Sequence, residues 1–233
     1  MQTYQEFLDR INSFEKREVF FGYEYFHGNP SIAQKVNQYN QFQPFYGDTM
    51  VFNLNDDVKE QLAEIVGKLY TQVPECFCEK LVSSTFHMTL HDLSNSPVLQ
   101  NVAGEVFENE LKVVEIMKQI QPQKIRMKSK YIFNMVGTSM VLGLYPASEE
   151  DYVKLMELYE MFNEVKCLNY GLTPHITLGY YNVHGFSTES ARTLEALVYE
   201  LNDLELEFDI STEDLYYQKF TTMNHYVDII GIK

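Results

Sequence analysis

The sequence predicts a mixed helix-and-strand chain built as a duplicated, two-lobed unit, and three observations predict it. His87-Met88-Thr89-Leu90 and His175-Ile176-Thr177-Leu178 repeat one pattern 88 residues apart. Strand-like and helix-like periodicities alternate in the same order around both tetrads. His87 lies 36 residues after Val51, and His175 lies 34 after Val141. Matched contexts at matched spacing mark an internal duplication. A pseudo-twofold axis between the copies brings the two tetrads together across a cleft.

Tyr4, Phe7, Leu8, Ile11 and Phe14 have helical spacing, so a helix is expected over Thr3 to Glu18. Gly22 to Gly47 reads as an irregular arm with a short helix around Pro30 to Tyr39. Its Tyr23, Tyr25 and Phe26 either cover the cleft or pack on one lobe. The first unit is a strand (Thr49–Leu54), a helix (Asp56–Val73) with Val58, Leu62, Ile65, Val66 and Leu69 on one side, and a strand (Lys80–Leu93) carrying the first tetrad. A helix (Pro97–Ile120) and a strand (Lys124–Phe133) complete it. The second unit is a strand (Ser139–Tyr145), a helix to Val165 opened by the cap-like Ser148-Glu149-Glu150-Asp151, and a strand (Thr173–Tyr181) carrying the second tetrad. A helix (Thr188–Leu201), a strand (Leu204–Ile210) with acidic residues between apolar ones, and a hairpin over Asp214–Gly231 close the chain. These spans give an arm over 1–48, a first lobe over 49–133 and a second over 134–233, packed as one domain.

Composition narrows the function. The 233 residues include 16 Phe and 17 Tyr, enough for a sizeable core. A net charge of −15 disfavours long nucleic acid, whose binding rests on phosphate neutralisation, and points to a small or short ligand. No apolar run has the length of a membrane span. Met1 to Glu6 lacks the basic and apolar regions of a secretory signal. Cys76, Cys78 and Cys167 are an odd number, so a reduced, cytoplasmic setting is expected. Cys76-Phe77-Cys78 has no second cysteine pair to complete a metal site. No cofactor is implied, and oligomeric state is not readable.

In a strand, alternate side chains share a face, so His and Thr of each tetrad point one way and the apolar pair points into a core. Two imidazoles titrating near neutrality suit a paired general acid and base. Thr89 and Thr177 hydroxyls suit the oxygens of an anion. His91, four residues after His87, falls on the same face if the strand continues, as a substrate contact or as part of the rim. A zinc site from His87, Thr89 and His91 lacks a third strong ligand. By parity Tyr181 shares the His175 face and is placed to stack a base or sugar. Lys124, Arg126, Lys128 and Lys130 share one strand face, either as a basic wall with Arg126 contacting phosphate or as a solvated face.

The two tetrads, with Pro174 before and Gly179-Tyr180 after the second, resemble the His-x-Thr signatures of the 2H phosphoesterase superfamily, which includes 2′-5′ RNA ligase-like proteins and cyclic phosphodiesterases. The resemblance covers about Thr49 to Lys233. It implies two antiparallel sheets lining a cleft with helices outside. It further implies metal-independent cleavage of a 2′,3′-cyclic phosphate or a short 2′-5′ or 3′-5′ linked nucleotide. His87 and His175 are then the catalytic pair, and Thr89 and Thr177 bind phosphate. The alternatives are a non-catalytic nucleotide- or RNA-end-binding module and a ligase-like reversal of the same chemistry.

Overall fold

The computed structural model describes residues 2–16 and 25–232. The first helix, α1 (Tyr4–Asn12), opens on a capping box between Thr3 and Glu6 and buries Phe7 and Ile11. It is shorter than its periodicity predicts. A 3-10 turn (Ser13–Lys16) takes over, and Arg17, Glu18 and Tyr23 lie outside the described residues. In the arm, a 3-10 turn spans Pro30–Gln34, where Asn29 caps and Pro30 fixes the first residue.

The regular elements beyond the arm are β1 (Tyr46–Asn53), α2 (Asp56–Gln72), β2 (His87–Ser96), α3 (Leu99–Met117), β3 (Lys124–Met135), β4 (Ser139–Pro146), α4 (Glu149–Met161), β5 (His175–Tyr180), α5 (Thr188–Leu201), β6 (Glu207–Ser211), β7 (Leu215–Thr222) and β8 (His225–Gly231). Three helices begin where short polar side chains satisfy free backbone N–H groups. Asn55 accepts from Val58, Ser148 from Asp151 and Ser187 from Ser190.

The strands form one antiparallel sheet in the order β6-β3-β4-β5-β2-β1-β7-β8, curled into a half-barrel. The two expected sheets meet at its centre, where the pairing Met88↔Ile176 joins β2 to β5. Helices α2 and α5 pack together, α3 lies on β1 and β2, and α4 lies on β3 and β4.

The halves of the sheet differ from the halves of the sequence. β3 belongs beside β4, and β7 and β8 extend β1. The predicted lobe boundary at 133/134 cuts through β3, next to a short hairpin turn, and such a turn forces its two strands to be neighbours. Val136 and Gly137 in that turn both have positive φ, 46° and 75°, and Asn134 Oδ1 accepts from the Gly137 N–H. A β-branched residue held left-handed costs ~1–3 kcal/mol, which the surroundings must offset. Asn29 of the arm contributes by donating to the Val136 and Gly137 carbonyls.

Both tetrad strands lose regularity at the same letter. Val51 faces Thr89 but Met50 faces His91, so Leu90 is an extra residue in β2. Val141 faces Thr177 but Met140 faces Gly179, so Leu178 is an extra residue in β5. Each leucine marks a β-bulge, and each bulge reverses the parity of the strand residues beyond it.

Candidate active site

His87, Thr89, His175 and Thr177 are half-buried and line one cleft of ≈ 480 Å³. Met88, Leu90, Ile176 and Leu178, each 0 % exposed, anchor the same strands on the opposite face. Alternation in two strands that meet at Met88↔Ile176 therefore places both histidines and both threonines on the concave side.

The backbone two residues before each histidine acts on its imidazole. His175 Nδ1 lies 2.7 Å from the Thr173 oxygen. A carbonyl only accepts, so that nitrogen carries the proton and Nε2 is left for proton transfer. The Thr85 backbone also acts on His87, raising its pKa. Thr85-x-His87-x-Thr89 and Thr173-x-His175-x-Thr177 thus extend the repeat by two residues, although the backbone makes the extra contact. The segment before His175 is braced from α1, where Arg10 donates to Thr173 Oγ1 at 2.7 Å and to the Leu172 carbonyl at 2.5 Å. Tyr226 packs edge-on against His87, with ring centres 5.0 Å apart.

Electrostatics hold both histidines below the ordinary imidazole range. Burial lowers the pKa of both. For His87 the positive charge of His175 adds to burial and pushes it down to about 4, against the opposing pull of the Thr85 backbone and Asp92. His175 is lowered by burial and by Lys35, and raised by the Thr173 carbonyl and Asp92.

Three sequence-predicted residues lie elsewhere. His91 is 1 % exposed and faces α4, between Tyr159 and Phe162, hydrogen-bonded to the Asp92 carbonyl and Asn163. It is neither rim nor substrate contact. Tyr181 is 0 % exposed among Phe26, Phe77 and Phe186. The bulges explain both corrections. Past Leu90 the cleft face passes from His91 to Asp92, and past Leu178 it passes from Tyr181 to Tyr180, both cleft-lining. Phe26 of the arm accordingly packs on a lobe.

Arg126 also lies outside the cleft, in a shallow surface groove with Lys124, Lys128 and Asp151. It pairs with Asp209 at 3.3 Å and Glu207 at 3.7 Å, and Lys128 pairs with Glu207 at 3.2 Å. The basic face of β3 is matched by the acidic alternation of β6, Arg126 opposite Asp209 and Lys128 opposite Glu207. Cys76 and Cys78 are buried away from the cleft, and burial pushes both thiols up to about 12.

Three residues that sequence reasoning did not single out shape the site. Asp92 accepts from the Tyr170 hydroxyl at 2.8 Å. Lys35 reaches the cleft from the arm, and Arg10 braces it from α1. No motif flags them, because each is placed by tertiary packing or by a bulge.

No family model and no curated protein matches the sequence. Solved structures do match the fold. ATU0111 from Agrobacterium tumefaciens, a conserved protein of unknown function, superposes with a TM-score of 0.69 at 14 % identity, covering 90 % of this chain and 95 % of its own. TT0787 of Thermus thermophilus superposes at 0.50 with 12 % identity, covering 79 % and 96 %. E. coli LigT complexed with 3′-AMP aligns at 0.49 with 14 % identity, covering 81 % and 95 %. No helix among the described residues is long and apolar enough to cross a membrane. The chain shares the fold of ATU0111 and, more distantly, of TT0787.

Proposed function

We propose that this chain is a phosphodiesterase that hydrolyses a 2′,3′-cyclic phosphate or a short 2′-5′ or 3′-5′ linked nucleotide by paired-histidine acid–base catalysis. The observation that carries the reading is the convergence of two oriented imidazoles and two threonine side chains on one cleft. Its polar groups suit a phosphodiester, and its aromatic wall of Tyr180, Phe220 and Tyr226 suits a nucleoside.

One imidazole of the pair, neutral, serves as the base. It takes a proton from water as the water oxygen attacks phosphorus. The P–O bond to the ribose oxygen breaks, and the other imidazole, protonated, donates its proton to that leaving oxygen. The Thr89 and Thr177 hydroxyls hold the non-bridging oxygens as negative charge builds on them. The chain's own groups supply acid, base and charge stabilisation. Asp92 keeps the imidazole pair chargeable despite burial.

The test is turnover of a panel of 2′,3′-cyclic nucleotides and 2′-5′ oligoadenylates in the presence of EDTA. Hydrolysis of at least one member, abolished by His87→Ala and by His175→Ala, is the expected result. Binding without turnover on the whole panel would assign the cleft to a nucleotide-binding module instead. Strict dependence on added zinc would overturn the mechanism.

A further inference from the structure

Lys35 is the one basic side chain lining the cleft among the described residues besides the histidines, and it belongs to neither repeat. It follows the Pro30–Gln34 turn, and its carbonyl accepts from the Gln43 N–H at 3.0 Å, so the arm doubles back at this point. Its Nζ stands 5.1 Å from the centre of the Tyr180 ring and 5.2 Å from that of Phe45. Two ring faces hold an ammonium by ~0.5–1 kcal/mol each without neutralising it. The ion pairs of the described residues engage Lys118, Arg126, Lys128, Lys154 and Lys219, and none engages Lys35. In a chain of net charge −15, an unneutralised cation on the cleft wall is a site for an anion.

We propose that Lys35 binds a second phosphate of the substrate, so that the preferred substrate is a nucleotide bearing a phosphate besides the phosphodiester that reacts. The inference rests on the phosphodiesterase reading of the same cleft. The tetrads already supply two imidazoles and two hydroxyls for the reacting group. Because Leu178 is bulged out, Tyr180 stands two rungs of the ladder beyond Thr177, a separation of about 7 Å. An ammonium seated on its ring is therefore set apart from the reacting phosphorus along the cleft, on the scale of the span between the 2′ and 5′ positions of one ribose. The aromatic wall of Tyr180, Phe220 and Tyr226 lies in the same cleft to take the sugar and base. A terminal phosphate on the nucleoside, such as a 5′-phosphate, has the charge and reach to meet Lys35.

Calorimetric titration of the full chain with adenosine 2′-monophosphate and adenosine 2′,5′-bisphosphate tests this without requiring turnover. The wild type should bind the bisphosphate at least tenfold more tightly. Lys35→Met should bring the two affinities within about threefold, and Lys35→Arg should restore most of the preference. Circular dichroism of both variants checks that the arm's loss of contact has not unfolded the chain. Equal affinities in the wild type, an equal loss for both ligands in Lys35→Met, or no binding of either would overturn the proposal. Discrimination in binding with no turnover on the nucleotide panel would uphold Lys35 and overturn the catalytic reading.

Discussion

β2 and β5 carry the same tetrad and bulge at the same leucine, yet the next residue on the cleft face differs. On β2 it is Asp92, hydrogen-bonded to Tyr170. On β5 it is Tyr180, stacked under Lys35. The two tetrads bring histidine and threonine to the cleft in equivalent pairs. The first cleft residue past each bulge then sets them apart, with a carboxylate on one side and an aromatic seat for a cation on the other. The repeat builds the two walls of the cleft alike, and the residue past each bulge makes them differ.

The largest effects should come from breaking the symmetric part. His87→Ala and His175→Ala should each lower kcat by at least a hundredfold on whichever panel nucleotide the wild type cleaves. Thr89→Ala or Thr177→Ala removes one hydrogen bond to a charged oxygen, worth ~1.5–3 kcal/mol, so a loss of about 10- to 100-fold in kcat/KM is expected. Equal losses at the two threonines would mean that the pair acts symmetrically on the phosphate. Unequal losses would show that the asymmetry extends to charge stabilisation.

The asymmetric part is reached through pH. Asp92 raises the pKa of both histidines, so Asp92→Asn should lower both and move the pH profile of kcat/KM toward acid. The activity that depends on a protonated imidazole would then fade at a lower pH than in the wild type. An unmoved profile would remove Asp92 from this role. Stability should carry the same signature. His87 stays neutral in the folded chain down to about 4, whereas in the unfolded chain it binds a proton near 6.5. Between those values the unfolded state holds more protons, so stability falls as pH falls through the window, by up to about 3 kcal/mol. Denaturant midpoints at pH 7 and pH 4.5 for wild type and His87→Gln measure it. The variant should lose less on acidification.

The repeat is legible in the chain itself: α2, α4 and α5 begin at capping side chains, and the tetrad strands lie where their alternation predicts. Strand alternation also placed His87, Thr89, His175 and Thr177 correctly, because all four precede their bulges. The error began one residue later. Period-2 parity assumes an unbroken ladder, and nothing in Leu90-His91 or Leu178-Gly179 announces the extra residue. Arg126 failed for another reason, since its counter-charges lie on β6, 83 residues away in sequence, and only the pairing of β3 with β6 brings them together. Lys35 was unreadable because its value depends on two rings from distant segments.

The exchange of outer strands between the halves bears on how the chain is made. β1 opens one half of the sheet early, but β7, its second neighbour, is synthesised some 160 residues later. Until then β1 has a bare edge, and β2 has only β1 and the narrow seam with β5 to hold it. A nascent first half therefore lacks β7 until the second half is out, so completion of the sheet should come late despite the repeated plan. The cleft is lined from both copies, so it is complete only when both have been made.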